Sequence, residues 1–267
     1  MTEPTRLVVH EPRIHETAIV HRNARLADDV VVGPYCIVGD DVELGAGCEL
    51  ASHVRLDGPL TCGAGNRFFH GAAIGGTPQD LKFTGARSAV RIGDGNVFRE
   101  FVTVNRATDL DRETSIGNRN LLMAYVHVAH DCVIHDHVIL ANSVNLAGHV
   151  EIEEHAIVGG VTPVHQFVRI GCYAIVGGGS RLPKDMPPYF KAAGNPLRVV
   201  GPNTVGLERN GFDPAVRKAL KFAFRILYRS SLNVSQAVVK LREQYEGTPE
   251  VDHLLAFIAD SDRGIVR

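Results

Sequence analysis

Apolar residues recur at every sixth position over most of the chain. In one common phase, eleven run from Ile14 to Ile74, three from Ile92 to Val104, and twelve from Ile116 to Leu182. An α-helix repeats every 3.6 residues and a half-buried strand every two, whereas a period of six fits a short strand followed by a turn. Three such units close a triangular coil of about 18 residues, and successive coils stack about 4.8 Å apart. The pattern therefore predicts a parallel β-helix of hexapeptide repeats with the apolar residues inside.

Two stretches interrupt the repeat. Residues 75–91 lack the apolar residue at two expected positions, and residues 105–115 are polar, with only Leu110 in phase. Loops that leave a rigid scaffold often carry function. We therefore expect both interruptions to be loops that contribute to a site.

The hexapeptide pattern ends near Pro183. Prolines and glycines up to Pro202 indicate a linker, and helical spacing follows. Asp213 and Asn233 are suitable N-caps for two helices, and Thr248 precedes a third.

This division predicts two domains. A β-helix domain is expected over residues 1–190, with loops at 75–91 and 105–115. A linker and a small helical C-terminal domain are expected over residues 191–267.

The charge balance narrows the class of protein. The net charge is −2, which argues against a generally basic nucleic-acid-binding protein, and 45% apolar residues suffice for a core. No apolar run reaches the 18 residues of a membrane span. The polar first 13 residues do not resemble a signal peptide, and five cysteines, an odd number, are typical of reduced thiols. We therefore expect a cytoplasmic protein.

Positive charge is concentrated in the helical part. Residues 205–245 contain eight Lys or Arg against three acidic residues. This excess is either a solvated helix face or a docking surface for an acidic macromolecule.

Seven histidines lie between Asn120 and Phe167, and none occupies the apolar position of the repeat. A coil of about 18 residues places Asp131 directly beneath His149. His130 could act as a general base oriented by Asp131, since neutral imidazole accepts a proton near pH 7. Gly148 offers a backbone N–H with no side chain to block an oxyanion.

Zinc binding is the alternative use of clustered histidines. The spacing of His130 and His135 is also used by hexapeptide zinc lyases, but those need a third histidine about two coils earlier. Residues 93–96 read Gly-Asp-Gly-Asn, so that ligand is absent. We expect neither a metal nor a cofactor, and the cysteines are expected to be structural.

Five motifs then point to a family. They are IGGTPQDLKFTG (74–85), REFVTVNRAT (99–108), NLLMAYVHVAHDC (120–132), ILANSVNLAGHV (139–150) and GGVTPVHQFVRIG (159–171). With the helical C-terminus, they make the chain resemble the UDP-N-acetylglucosamine 3-O-acyltransferases, which belong to the hexapeptide-repeat acyltransferases. This resemblance implies a left-handed coil, a homotrimer with sites between copies, and the first step of lipid A biosynthesis. The implied substrates are a 3-hydroxyacyl-acyl carrier protein and UDP-N-acetylglucosamine.

The resemblance also implies a role for individual residues. His130 matches the general base that deprotonates the sugar 3-hydroxyl, and Gly148 matches the oxyanion donor. The residues that match substrate contacts are Gln79, Asp80, Lys82, His127, His149, His165, Gln166, Asn203 and Arg209. Gly178 matches the position that sets acyl length, and the basic helices, including Arg217, Lys218 and Lys221, match the surface that docks the carrier protein.

Three residues depart from the family pattern. Asn105 stands where histidine is common, and Val205 and Asn210 replace a glutamate and a basic residue. They leave open an acceptor with a 3-amine in place of the 3-hydroxyl. Three further functions stay open as well: the related N-acyltransferase of the same pathway, a hexapeptide acetyl-CoA transferase and a non-catalytic β-helix scaffold.

Overall fold

The hexapeptide pattern forms a stack of short strands. The structure is a computed structural model that describes residues 13–245 and 247–267, so the polar segment before Arg13 lies outside the described residues. Most strands are two residues long and are separated by turns. The strands are β1 (Ile19–Val20), β2 (Arg25–Leu26), β3 (Val31–Val32), β4 (Ile37–Val38), β5 (Val42–Leu44), β6 (Glu49–Leu50), β7 (Arg55–Leu56), β8 (Leu60–Cys62), β9 (Arg67–Phe68), β10 (Ala73–Gly76), β11 (Ala89–Ile92), β12 (Val97–Phe98), β13 (Thr103–Asn105), β14 (Glu113–Ile116), β15 (Leu121–Leu122), β16 (His127–Val128), β17 (Val133–Ile134), β18 (Ile139–Leu140), β19 (Asn145–Leu146), β20 (Glu151–Ile152), β21 (Ile157–Val158), β22 (Pro163–Val164), β23 (Arg169–Ile170), β24 (Ile175–Val176), β25 (Phe190–Ala193) and β26 (Arg198–Pro202).

Every third strand joins the same parallel sheet. The first sheet runs from β1 through β4 to β22, the second from β2 through β5 to β23, and the third from β3 through β6 to β24, where β25 and β26 are added. His127 pairs with Asn145, and Asn145 pairs with Pro163. The predicted coil register is therefore confirmed.

The core follows the predicted phase. Apolar repeat residues such as Val32, Leu122 and Val158 are fully buried, and Phe68 stacks on Phe98 with ring centroids 4.9 Å apart. The five cysteines are free and buried, as expected for interior positions. This architecture is the left-handed parallel β-helix with a small helical C-terminal region that was predicted.

The two interruptions of the repeat contact each other. The Arg106 N–H donates to the Gly76 carbonyl at 3.0 Å, and the Asn105 side-chain amide donates to the Thr77 carbonyl at 3.0 Å. The Ser88 hydroxyl donates to the Ala107 carbonyl. The loops therefore form one joint structure beside the coil.

The expectation of a linker between residues 183 and 202 is wrong. Phe190–Ala193 continues the third sheet in parallel, and Arg198–Pro202 pairs with it antiparallel. Phe190 and Ala192 are fully buried, so alternate apolar residues add strands between the proline-rich turns.

Four helices follow in the described residues: α1 (Thr204–Arg209), α2 (Pro214–Arg229), α3 (Val234–Tyr245) and α4 (Pro249–Ala259). The Asp213 carboxylate accepts from the Ala215 N–H at 2.7 Å, and the Asn233 side chain accepts from the Gln236 N–H at 2.9 Å, which confirms both caps. Thr248 precedes α4 without a side-chain cap bond, and the short α1 was not predicted. None of these helices combines the length and apolar character that a membrane crossing requires.

Candidate active site

His130 and Asp131 form a dyad in the turn between the first and second sheets. His130 Nδ1 lies 2.7 Å from Asp131 Oδ2, and the two side chains are 14% and 6% exposed. An ionised carboxylate can only accept a hydrogen bond, so Nδ1 carries the proton and Nε2 keeps its lone pair. The dyad therefore presents Nε2 as the basic atom.

Asp131 is held ionised by its neighbours. Burial raises the pKa of Asp131, but hydrogen bonds from His130 and Thr108 outweigh it and hold the pKa below its usual value. The Asp131 N–H also donates to the Thr114 hydroxyl at 2.8 Å. The carboxylate is thus fixed at both its backbone and its side chain.

Gly148 lies one coil above His130. A Cβ at this residue would come 2.4 Å from His130 Cε1 and 2.8 Å from Nε2, so only glycine lets the imidazole take its place. No acceptor for the Gly148 N–H occurs among the backbone hydrogen bonds of the described residues. The amide is available to an oxyanion beside the base.

His149 completes the cluster at the same corner. Its Nε2 is 3.8 Å from Asp131 Oδ2, and its ring meets that of His130 edge to face at 5.3 Å. Phe167, one coil further, stacks on His149 with centroids 4.5 Å apart. The predicted placement of Asp131 beneath His149 is confirmed.

His127 lies on the adjoining face of the coil. Its Nδ1 is 2.8 Å from the Thr103 hydroxyl, and burial, helped by the nearby His130, lowers the pKa of His127. The neutral ring is suited to hydrogen bonding with a polar substrate group.

Several of the remaining predicted substrate contacts are exposed on the surface of the chain. His165 and Gln166 are exposed, and Gln79 and Lys82 are exposed on the first interruption, where the Asp80 carboxylate accepts from the Lys82 N–H at 2.9 Å. No hydrogen bond or ion pair joins Gln79, Asp80 or Lys82 to the histidines within the described residues. One chain therefore does not bring them together.

Asn203 caps the start of α1. It is 5% exposed, its side-chain oxygen caps α1 by accepting from the Gly206 N–H, and its amide donates to the Tyr173 carbonyl. Arg209 and the departing residues Val205 and Asn210 are exposed on or just after α1.

The basic residues of α2 differ in availability. Arg217 is paired with Glu208 at 3.2 Å and is 25% exposed, whereas Lys218 and Lys221 are exposed. Gly178 lies at a corner near the end of the coil, where a Cβ would be 3.1 Å from the Gly160 carbonyl oxygen.

Sequence reasoning missed three residues of the site: Thr108, Thr114 and Phe167. Phe167 could have been found from the register, since it lies two coils above Asp131. Thr108 lies in an interruption, where the register gives no position.

Among the residues that the structure describes, two groups could hold a metal ion by distance alone: His130 with Asp131 and His149, and Glu153 with Cys172 and His253. In both groups the carboxylate already accepts hydrogen bonds from protein groups. The first group is also arranged so that His130 Nε2 could transfer a proton.

Comparison with known proteins agrees with this geometry. A family profile described as "Udp N-acetylglucosamine O-acyltransferase; Domain 2" matches residues 185–266, and the bacterial transferase hexapeptide profile matches 23–58 and 113–148.

Two curated relatives are named acyl-[acyl-carrier-protein]--UDP-N-acetylglucosamine O-acyltransferase. The protein of Rippkaea orientalis is 56% identical over 79% of this chain and 76% of its own. That of Syntrophobacter fumaroxidans is 47% identical over 96% and 100%. The solved structure of LpxA from Acinetobacter baumannii superposes with a TM-score of 0.92 at 41% identity, covering 96% of this chain and 100% of its own. The chain therefore belongs to the UDP-N-acetylglucosamine O-acyltransferase family.

Proposed function

We propose that this protein transfers a 3-hydroxyacyl group from acyl carrier protein to the 3-hydroxyl of UDP-N-acetylglucosamine, the first step of lipid A biosynthesis. The observation that carries this proposal is the free Nε2 of His130, held by Asp131 beside the Gly148 amide. Base and oxyanion donor are thus neighbours on adjacent coils, as acyl transfer requires.

The reaction follows from these atoms. His130 Nε2 removes the proton of the sugar hydroxyl as its oxygen attacks the thioester carbonyl. Asp131 stabilises the imidazolium that forms, and the Gly148 N–H donates to the oxyanion of the tetrahedral intermediate. Collapse of the intermediate expels the pantetheine thiolate, which takes the proton back from His130.

A further part of the proposal is a homotrimer with sites between copies. The outer side of the third sheet carries a row of apolar residues that remain partly exposed in one chain: Val97, Leu121, Ile139, Ile157 and Ile175. Their strand neighbours Phe98 and Leu122 point inward and are fully buried. A second copy packed beside this chain would cover apolar surface and could bring the loop with Gln79 and Lys82 to the histidines.

The positive charge of α2 supports acyl carrier protein as the partner, and the free cysteines support the cytoplasm as the location. Lys218 and Lys221 on α2 supply positive charge for an acidic carrier protein. Five free cysteines fit the reducing cytoplasm, where we place the reaction.

The test is the mass of the product. The purified protein is mixed with UDP-N-acetylglucosamine and 3-hydroxyacyl carrier proteins of several chain lengths, and His130→Ala serves as the control. We expect an acylated nucleotide sugar, and a fall in kcat of about 10²–10⁴-fold in the variant, the usual loss for a general base.

Four results would each contradict a part of the proposal. A product formed only from the 3-amino analogue of the sugar would make the protein an N-acyltransferase. A product formed from acetyl-CoA alone would replace the donor. No product with any acceptor would favour a scaffold, and unchanged turnover of His130→Ala would remove the base.

A further inference from the structure

The carboxylate of Asp131 has a second side-chain partner besides His130. The Thr108 hydroxyl donates to Asp131 Oδ2 at 2.8 Å, and the Thr108 N–H lies 3.3–3.4 Å from the two carboxylate oxygens. Oδ2 is the same oxygen that lies 2.7 Å from His130 Nδ1. One oxygen therefore joins the threonine to the base.

The two interruptions of the repeat hold Thr108 in this place. The preceding Ala107 is fully buried, its carbonyl accepts from the Ser88 hydroxyl, and its N–H donates to the Ala89 carbonyl at 3.4 Å. Arg106 is tied to Gly76 by a backbone bond of 3.0 Å. Contacts on both sides thus fix the short segment that delivers the hydroxyl.

His149 is a second imidazole near the same carboxylate oxygen. Its Nε2 lies 3.8 Å from Asp131 Oδ2, so a turn of the carboxylate toward His149 would weaken the hydrogen bond to His130. The hydrogen bond from the Thr108 hydroxyl at 2.8 Å restrains Oδ2 against such a turn. A hydrogen bond to a charged group is about twice as strong as one between neutral groups.

We propose that Thr108 is a positioning residue for the acyl transfer, which keeps Asp131 directed at His130 so that Nε2 faces the acceptor hydroxyl. It touches neither substrate nor reacting atoms, and it acts through the carboxylate. This inference rests on the proposed function for its kinetic consequences, but the hydrogen-bond network that it concerns can be measured without turnover.

The experiment compares Thr108→Val, which removes the hydroxyl at nearly constant volume, with Thr108→Ser, which keeps it. In Thr108→Val we expect kcat on the pH plateau to fall about 10-fold, as is typical when the partner of an orienting group is lost, with both KM values unchanged. The proton NMR signal of the His130 Nδ1–H, recorded without substrates, should move upfield, because its hydrogen bond to Asp131 is no longer held in place. Thr108→Ser should match the wild type in all of these.

The double variant with Asp131→Asn tests the route of the effect. If Thr108 acts through Asp131, Thr108→Val has no further effect on kcat or on the His130 Nδ1–H signal once Asp131→Asn is present. Melting temperatures are measured for every variant, and Thr108→Ala replaces Thr108→Val if valine prevents folding.

Two outcomes overturn the inference. One is a lower melting temperature for Thr108→Val with an unchanged His130 Nδ1–H signal, which is what a residue that only anchors the loop would give. The other is an equal effect of Thr108→Val with and without Asp131→Asn. A wild-type protein that forms no product, while Thr108→Val still moves the Nδ1–H signal, would contradict the proposed function and leave the network intact.

Discussion

The imidazole of His130 lies where a side chain at Gly148 would be. An ideal Cβ on Gly148 would be 2.4 Å from His130 Cε1, 2.8 Å from Nε2 and 3.0 Å from Nδ1, and the first two distances are shorter than real Cβ contacts. The two residues occupy the same turn position on adjacent coils, and the His149 N–H between these coils donates to the His130 carbonyl at 3.1 Å. The close approach of base and amide is therefore built into the stacking of the coil.

Gly148→Ala should impair catalysis more than folding. The added methyl group must displace the ring of His130, so the proton acceptor moves while the residue 148 N–H stays in place. We expect kcat to fall about 10²-fold or more, toward the loss of the base itself. The measurement is kcat together with the melting temperature.

A matched control is Gly201→Ala, because a Cβ at Gly201 meets no atom within 4 Å. This variant should keep wild-type turnover. If Gly148→Ala kept wild-type kcat, or if both variants lost activity equally, the steric link between Gly148 and His130 would be wrong.

The sequence predicts the coil well because the repeat determines which side chains point into the core. A period of six fixes which residues point inward, and Val32, Leu122 and Val158 are buried as expected. The same register places Asp131 beneath His149, with His149 Nε2 3.8 Å from Asp131 Oδ2. The site residues that lie on regular coils could therefore be placed by counting.

The rest depends on contacts that no period encodes. Thr108 reaches Asp131 because the two interruptions interlock through Arg106 and Ala107, and the path of an inserted loop is set by tertiary contacts. The turns that carry Asp131 and His149 adopt left-handed φ values of 59° and 61°, which a sequence rule would assign to glycine. These conformations are stabilised by the neighbouring coils.

A count of positive charges does not distinguish exposed cations from paired ones. Arg217 on α2 is paired with Glu208 on α1 at 3.2 Å. Its guanidinium is 25% exposed and is less available to a partner than the exposed Lys218 and Lys221.

Reversing the charge of Lys218 and Lys221 should weaken the use of the acyl donor. Glutamate at both positions should raise KM for the acyl carrier protein and flatten its dependence on salt, since exposed charges are screened over about 10 Å at 0.1 M. KM for the nucleotide sugar and kcat at saturation should stay unchanged. Steady-state kinetics at two salt concentrations measures these quantities.

The matched control reverses two exposed cations of another helix, Lys240 and Arg242 on α3. An equal rise in KM for the donor in both variants would indicate a general field effect rather than docking on α2. A rise in KM for the nucleotide sugar alone would place the docking surface elsewhere.

The pairing of His253 with Glu153 should make stability depend on pH. His253 Nε2 on α4 lies 3.2 Å from Glu153 Oε2 on the coil. The hydrogen bond with Glu153 raises the pKa of His253 against the effect of burial. Burial raises the pKa of Glu153, but bonds from His253 and Cys172 bring it below its usual value.

The two shifts define a pH window. The contribution of His253 is fully present below its unfolded pKa of about 6.5 and is lost as pH rises through the raised folded pKa. That of Glu153 is present above its unfolded pKa of about 4.3 and is lost as pH falls through the lowered folded pKa. The pair therefore stabilises most between about pH 4.3 and 6.5.

We expect the melting temperature of the wild type to exceed that of His253→Gln most near pH 5.5 and least near pH 8.5. His135→Gln is the control, because the His135 side chain is 46% exposed and its contact with an acid is weaker. His135 Nε2 lies 3.5 Å from Glu151 Oε1. Its melting temperature should follow the wild type at both pH values. A constant difference for His253→Gln across the range would show that the ion pair does not titrate as described.

The preferred length of the acyl chain can be tested by substitutions at Gly178. If the acyl chain lies between copies beside the end of the coil, Gly178 has no side chain to block its path, so we expect the wild type to prefer 3-hydroxyacyl donors longer than ten carbons. A methionine there would overlap the distal methylenes, each of which contributes about 0.8 kcal/mol when buried. Gly178→Met should therefore shift the preferred donor several carbons shorter, as measured by kcat/KM over a series of carrier-bound chains.

The backbone at this corner supplies the control. A Cβ on Gly178 would be 3.1 Å from the Gly160 oxygen and 3.4 Å from the Gly160 nitrogen, so any side chain presses on the neighbouring coil. Gly178→Ala introduces that pressure without reaching the groove, and it should lower kcat/KM for all donors alike while keeping the preferred length. If Gly178→Met gave the same uniform loss as Gly178→Ala, the glycine would serve only the packing of two coils. A wild type that already prefers a ten-carbon donor would contradict the assignment as well, because the open groove would then not be read by the acyl chain.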